Sequence, residues 1–175
     1  NTPTPASHQV ISIAYPGAMS LDITGPMHVF ATANDVRRKQ GLPAFYTLTY
    51  AELQAGPLTL SCGLQIVTTH GLAQLPPSAL SKNTTVLVPG GDGIEAAQHD
   101  EALRAWVQQA APRVARLGSA CSAARVLARA GLLDGLPGWI PRLQVQPVEH
   151  ASHWVVHEHT ERVALELQRF LLSKQ

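Results

Sequence analysis

The sequence is short of cysteine, of aromatic side chains and of charge, and it has no long hydrophobic run. Its 175 residues include two cysteines, Cys62 and Cys121. They lie in unlike contexts, one in a turn-rich hairpin and one at a strand-to-helix corner, which argues against a disulfide framework. Aromatic residues make up 5% and charged residues 14%, against 45% hydrophobic. That balance excludes a disordered chain or a coiled coil and points to a compact α/β protein. No apolar run reaches the roughly 18 residues that a membrane-spanning helix needs. The formal net charge is +1. The one basic cluster, Arg37-Arg38-Lys39, falls where a helix should end, where it complements the helix dipole rather than forming a nucleic-acid patch. Residues 1–9 lack the charged-then-apolar layout of a signal peptide and read as a flexible arm on a cytoplasmic protein. At this length one domain with a full core, residues 10–175, is expected.

What the sequence does have is an alternation of apolar, β-branched runs with helical patterns. Val10 to Tyr15 reads as a strand buried on both faces, ended by Pro16-Gly17. A helix is predicted to start with Pro26 at or near its first position, where a missing N–H is harmless. It carries Met27, Phe30, Ala31 and Asn34 on one face and ends at Gly41. Phe45 to Leu53 alternates as a second strand. Leu58–Leu60 and Leu64–Val67 flank Ser61-Cys62-Gly63 as a small hairpin or β-arm. Thr84 to Val88 is a central parallel strand running into Pro89-Gly90-Gly91-Asp92-Gly93. Ile94 to Ala111 follows as a helix restarted near Asp100, with Ala97, Leu103, Trp106, Val107 and Ala110 as its apolar stripe. Past Gly131 the pattern weakens to strand-like stretches at Leu143–Pro147 and His153–His157. A final helix, Glu158–Leu172, buries Val163, Leu167, Phe170 and Leu171. Strands alternating with helices imply a flavodoxin-like three-layer sandwich: a mostly parallel sheet, helices on both faces, right-handed crossovers and a small β-arm.

The stretch Arg113 to Gly131 carries the chemistry. A short apolar strand runs straight into an alanine-rich helix, Ser122 to Ala130, with Ser122 helping to satisfy its opening turn and Gly131 as left-handed C-cap. Cys121 stands at the corner. A helix N-terminus favours thiolate over thiol, so a lowered pKa is expected there, and the same N–H groups suit an anion or oxyanion. The alternative is a buried core cysteine, and the corner favours the functional reading. Glycines at the carboxyl end of a parallel strand let backbone approach a ligand closely, although Gly90 and Gly91 also serve as plain turn residues. Four histidines, His150, His153, His157 and His159, have spacings that fit metal ligands. No cysteine or defined acidic partner joins them, so they read as solvent-facing, and no metal or other cofactor is expected.

With Tyr15-Pro16-Gly17, Leu21-Asp22-Ile23-Thr24-Gly25-Pro26, Val86 to Gly91, Ser61-Cys62-Gly63-Leu64, the Cys121 corner and Ala128 to Gly135 in view, the chain resembles the DJ-1/PfpI superfamily of class I glutamine amidotransferase-like domains. The likeness runs from about Val10 to Gly135. Two branches are nearest, the sensing domain of AraC-type transcriptional regulators and enzymes similar to isocyanide hydratase. The resemblance implies a nucleophile elbow with Cys121 as reactive group and Asp22 hydrogen-bonding near its sulfur. It also implies an oxyanion or ligand site built from Gly90, Gly91 and Ser122, through the N–H groups of Gly91 and Ser122. A carboxylate beside a thiolate repels it, so Asp22 would be protonated or would orient a substrate or water. The alternative for Asp22 is a loop cap for the following helix. Relatives usually carry a glycine where Ala123 stands. They also continue into a threonine-rich stretch ending in His-Trp, whereas Leu136 to Arg142 has no histidine. Either that segment is lost or loops are missing from the chain, with junctions near Leu136 and Trp154. The leading expectation is the ligand-sensing domain of an AraC-type regulator. It would bind a small-molecule effector, act as a homodimer away from membranes, and meet DNA only through a helix-turn-helix domain outside this chain. The alternatives are a Cys121-dependent hydratase or hydrolase, or a stress protein whose Cys121 oxidises.

Overall fold

Val10, Ile11, Ser12 and Ile13 are all buried, and strands pair on both sides of Val10 to Ser12. They belong to β1 (His8–Ile13), the middle strand in a computed structural model whose described residues are 7–133 and 158–172. Its neighbours are β2 (Tyr46–Glu52) and β6 (Thr84–Val88), with β5 (His70–Gly71) and β7 (Arg116–Ser119) at the edges. The order is β5-β2-β1-β6-β7 and every pairing is parallel. β3 (Gly56–Thr59) and β4 (Gln65–Thr68) form a separate antiparallel hairpin, the expected β-arm.

Among the described residues the α-helices are α1 (Ser20–Lys39), α2 (Ile94–His99), α3 (Glu101–Ala110), α4 (Ala124–Arg129) and α5 (Thr160–Leu172). The step from β1 to β2 runs one way across the sheet and the step from β6 to β7 runs the other. Right-handed crossovers therefore put α1 on one face and α2 and α3 on the opposite one. α4 packs with α2 and α3. The flavodoxin-like reading holds. Contacts divide the chain into residues 1–134, which hold the sheet, and residues 135–175, which contribute α5.

The restart at Asp100 is present. Asp100 ends α2 and caps α3, its Oδ1 accepting from the Leu103 N–H at 2.8 Å. Gly131 closes α4 with φ 69, as a left-handed C-cap should. Two helix starts differ from expectation. α1 begins at Ser20, and Pro26 lies inside it. The start is set by tertiary pairing, because the extended Met19 donates its N–H to Gly90 O at 2.7 Å. Pro26 removes an internal hydrogen bond, and Gly25 before it, having no Cβ, eases the clash that proline imposes on its predecessor. The expected helix from Ser122 opens instead with a 3-10 turn, Cys121–Ala123. Ser122 does not cap α4. The strand-like stretches Leu143–Pro147 and His153–His157 lie outside the described residues. Of the final helix, Val163 is half-buried, and the side chains of Leu167, Phe170 and Leu171 lie outside the description.

Candidate functional site

The carboxyl ends of β1, β6 and β7 meet at one edge of the sheet, and three turns leave from it. Pro16-Gly17 follows β1, Pro89 to Gly93 follows β6, and Ala120-Cys121 follows β7. β1 and β6 lie side by side while their helices cover opposite faces, so this edge is the switch point at which such sheets bind ligands.

Cys121 has φ 52 and is the one non-glycine residue with positive φ among the described residues. Ala120 donates its N–H to Val88 O at 2.9 Å, and Ala123 donates back to Ala120 O at 3.0 Å. The chain is held on both sides of a corner that only a left-handed residue can make. The thiol is exposed. Gly90 packs against this corner so closely that a Cβ there would sit 2.8 Å from Cys121 Cβ and 2.9 Å from Ser122 Oγ. Gly91, at φ 132, would push a Cβ to 2.4 Å from Met19 N. Here glycine is demanded by close approach, not by turn chemistry alone.

Asp22, in the first turn of α1, accepts the Gly90 N–H on Oδ2 at 2.9 Å. Ser122 Oγ accepts the Gly91 N–H at 3.4 Å. The structure thus brings Asp22, Gly90, Gly91, Cys121 and Ser122 together. It differs from the expected free donor at Gly91, because side-chain oxygens of the same chain already engage the N–H groups of Gly90 and Gly91. Asp22 does act as a cap, but for the β6 turn 68 residues away rather than for its own helix.

Sequence reasoning counted Tyr15-Pro16-Gly17 in the family resemblance but gave Tyr15 no role at the site. It is 6% exposed and donates its hydroxyl to Pro89 O at 2.5 Å. Burial, followed by the negative charges of Asp22 and Cys121, pushes its pKa well above that of an ordinary tyrosine. Its position as the last residue before Pro16-Gly17 was the available signal, since a buried tyrosine at a strand end needs a polar partner. Cys62 was also given no role. It is exposed at the hairpin turn and donates its thiol to Ser20 Oγ at 3.5 Å. Its hydrogen bonds with the Ser20 side chain and the Leu64 backbone hold its pKa below that of an ordinary thiol.

Of the four histidines, His150, His153 and His157 lie outside the described residues. His159 is half-buried at the start of α5, its carbonyl accepting from Val163. No group of metal-ligating side chains occurs among the described residues. None of the described helices is long and apolar enough to cross a membrane.

An all-parallel doubly wound sheet with a strained cysteine facing a glycine turn across its carboxyl edge defines an α/β protein of the cysteine-elbow class. The chain belongs to the DJ-1/PfpI family, whose model matches residues 8–137. It is 30% identical over 132 residues to an uncharacterised protein encoded in the cpoL 5′ region of Streptomyces lividans, covering 75% of this chain and 86% of that one. It is 27% identical over 150 residues to isonitrile hydratase of Pseudomonas putida, covering 86% of this chain and 54% of the enzyme. Among solved structures it resembles a ThiJ/PfpI family protein from Pseudomonas syringae, with 28% identity and a TM-score of 0.62. That match covers 76% of this chain and 50% of the other, so the chain spans about half of both Pseudomonas proteins.

Proposed function

We propose that this chain is a ligand-sensing domain of the kind found in AraC-type transcriptional regulators, reading a small polar or nitrogenous metabolite at Cys121, Asp22, Gly90, Gly91 and Ser122. The observation that carries this reading is the engagement of the Gly90 and Gly91 N–H groups by Asp22 and Ser122. A polar ligand that takes those donors displaces a carboxylate rooted in α1 or a hydroxyl rooted at the start of α4. Occupancy is thereby linked to the placement of two helices, which is what a switch between two arrangements requires. On this reading the protein works as a homodimer, and DNA is bound by a helix-turn-helix domain outside these 175 residues. The test is the gene product purified from its native locus. A mass well above that of 175 residues, DNA retardation, and a metabolite that alters retardation and raises Tm are expected. Loss of the Tm shift in Asp22→Ala places the ligand at this site. A product that retards no DNA overturns the reading.

A second reading is favoured by the isonitrile hydratase relative together with an exposed Cys121 packed against Gly90, whose N–H Asp22 accepts. Here Cys121 is the nucleophile, and water is added across an isocyanide carbon to give an N-substituted formamide. Formamide production from cyclohexyl isocyanide, abolished in Cys121→Ser, decides for it. No turnover above that variant decides against it.

A further inference from the structure

A cavity of about 130 Å³ lies behind the site, between the carboxyl ends of β1 and β2 and the helices α2 and α3. Neither Cys121, Asp22 nor Gly90 lines it, so it is separate from the elbow. Its walls are largely apolar, with Ile13, Tyr15, Leu72 and Leu103 among them, and the charged residues that line it are Glu52 and Asp100. Both are acidic, and no lysine or arginine joins them. Asp100 is committed to its own helix, capping α3 through the Leu103 N–H. The Glu52 carboxylate makes no hydrogen bond or ion pair among the described residues. It is half-buried at the last position of β2, and burial holds its pKa above the usual carboxylate value with no cation to offset it.

An apolar chamber whose one uncommitted charged side chain, among the described residues, is a partly desolvated carboxylate is matched by a cation with a hydrocarbon body. The size limits that body. A dry cavity of roughly 150 Å³ takes a benzene ring, so this one takes a short branched or cyclic alkyl group. We propose that the cavity is a binding site for a small primary ammonium compound, its alkyl group packed on Ile13, Leu72 and Leu103 and its ammonium paired with Glu52. Tyr15 forms the wall shared with the elbow, its hydroxyl on Pro89 O next to Gly90. The inference stands apart from the sensing reading, since it needs neither a thiolate nor DNA.

The experiment titrates the full chain, labelled with 15N, with 3-methylbutylammonium chloride and, separately, with the uncharged 3-methylbutan-1-ol. Saturable amide shifts at Tyr15, Leu53 and Ala97 are expected with the amine, with affinity at least tenfold weaker for the alcohol. Glu52→Gln, close in shape to the original, should weaken the amine at least tenfold and leave the alcohol unchanged. Cys121→Ser should bind the amine as the parent does. Equal affinity for amine and alcohol, an unchanged Glu52→Gln, or loss of binding in Cys121→Ser each overturns the proposal, as does the absence of saturable shifts.

Discussion

Cys121 is held at φ 52 by hydrogen bonds on either side, and a left-handed backbone costs a residue with a Cβ about 1–2 kcal/mol. Cys121→Ala keeps that strain, whereas Cys121→Gly releases it. The glycine variant should therefore be the more stable of the two by about 1 kcal/mol, measured by urea unfolding, the reverse of what glycine does in a helix interior. Tyr15 leads to a pH prediction. Its folded pKa is raised above the ordinary value of 10.0. The unfolded chain thus loses the tyrosine proton first, and the stability held by neutral Tyr15 is complete below about pH 10 and declines as pH rises further. Tyr15→Phe should cost about 1 kcal/mol at neutral pH through the lost bond to Pro89 O, and the gap to the parent should narrow above pH 10. Equilibrium unfolding of the two proteins from pH 7 to 11 checks both statements.

One side chain fixes how α1 hands over to β2. Asn34, 4% exposed, accepts from the N–H groups of Phe45 and Tyr46 on Oδ1 and donates Nδ2 to Tyr46 O. Three bonds at a half-buried strand start make it a staple rather than one more residue of an apolar face. Asn34→Ala should cost about 2–4 kcal/mol by denaturant unfolding, and Asn34→Asp, which keeps the acceptor but loses the donor, should fall between. The β6 turn makes a different demand on its elbow neighbour. Gly90→Ala puts a methyl group within 3 Å of Cys121 Cβ and Ser122 Oγ, against backbone that is pinned. A loss of about 1–3 kcal/mol is expected, with the alkylation rate of Cys121 changed more than that of Cys62, which sits on the hairpin.

Across the whole molecule stability should be graded from the middle of the sheet outwards. β1 is paired on both sides and four of its six residues are fully buried, whereas β5 is a two-residue edge strand and the hairpin is a separate sheet. Native-state hydrogen exchange should show the slowest amides in β1 and β6 and the fastest in β4 and β5. Much of this architecture could be read from the letters. Unbroken apolar runs record burial on two faces, so β1 and β6 were legible. Glycine and proline record turns, so the hairpin and the strand ends were legible too. Asp100 marked the helix break because a cap is a local device. β5 left no such trace, because two residues are too few to show a period.

Local spacing along this chain was enough to specify a parallel α/β sandwich with a cysteine at a strand-to-helix corner and a glycine turn after the central strand. It was not enough to specify which groups those residues would face. The start of α1 follows from Met19 pairing with Gly90, the partner of Asp22 lies 68 residues away, and Tyr15 joins the site through Pro89. Glu52 meets the cavity wall because β2 lies beside β1, so that its end faces the same cavity as Leu103 of α3. Hydrophobic period and turn chemistry are short-range and are written in neighbouring residues. Desolvation, close approach and hydrogen bonding across a sheet edge depend on strand order, and only the folded chain sets that order.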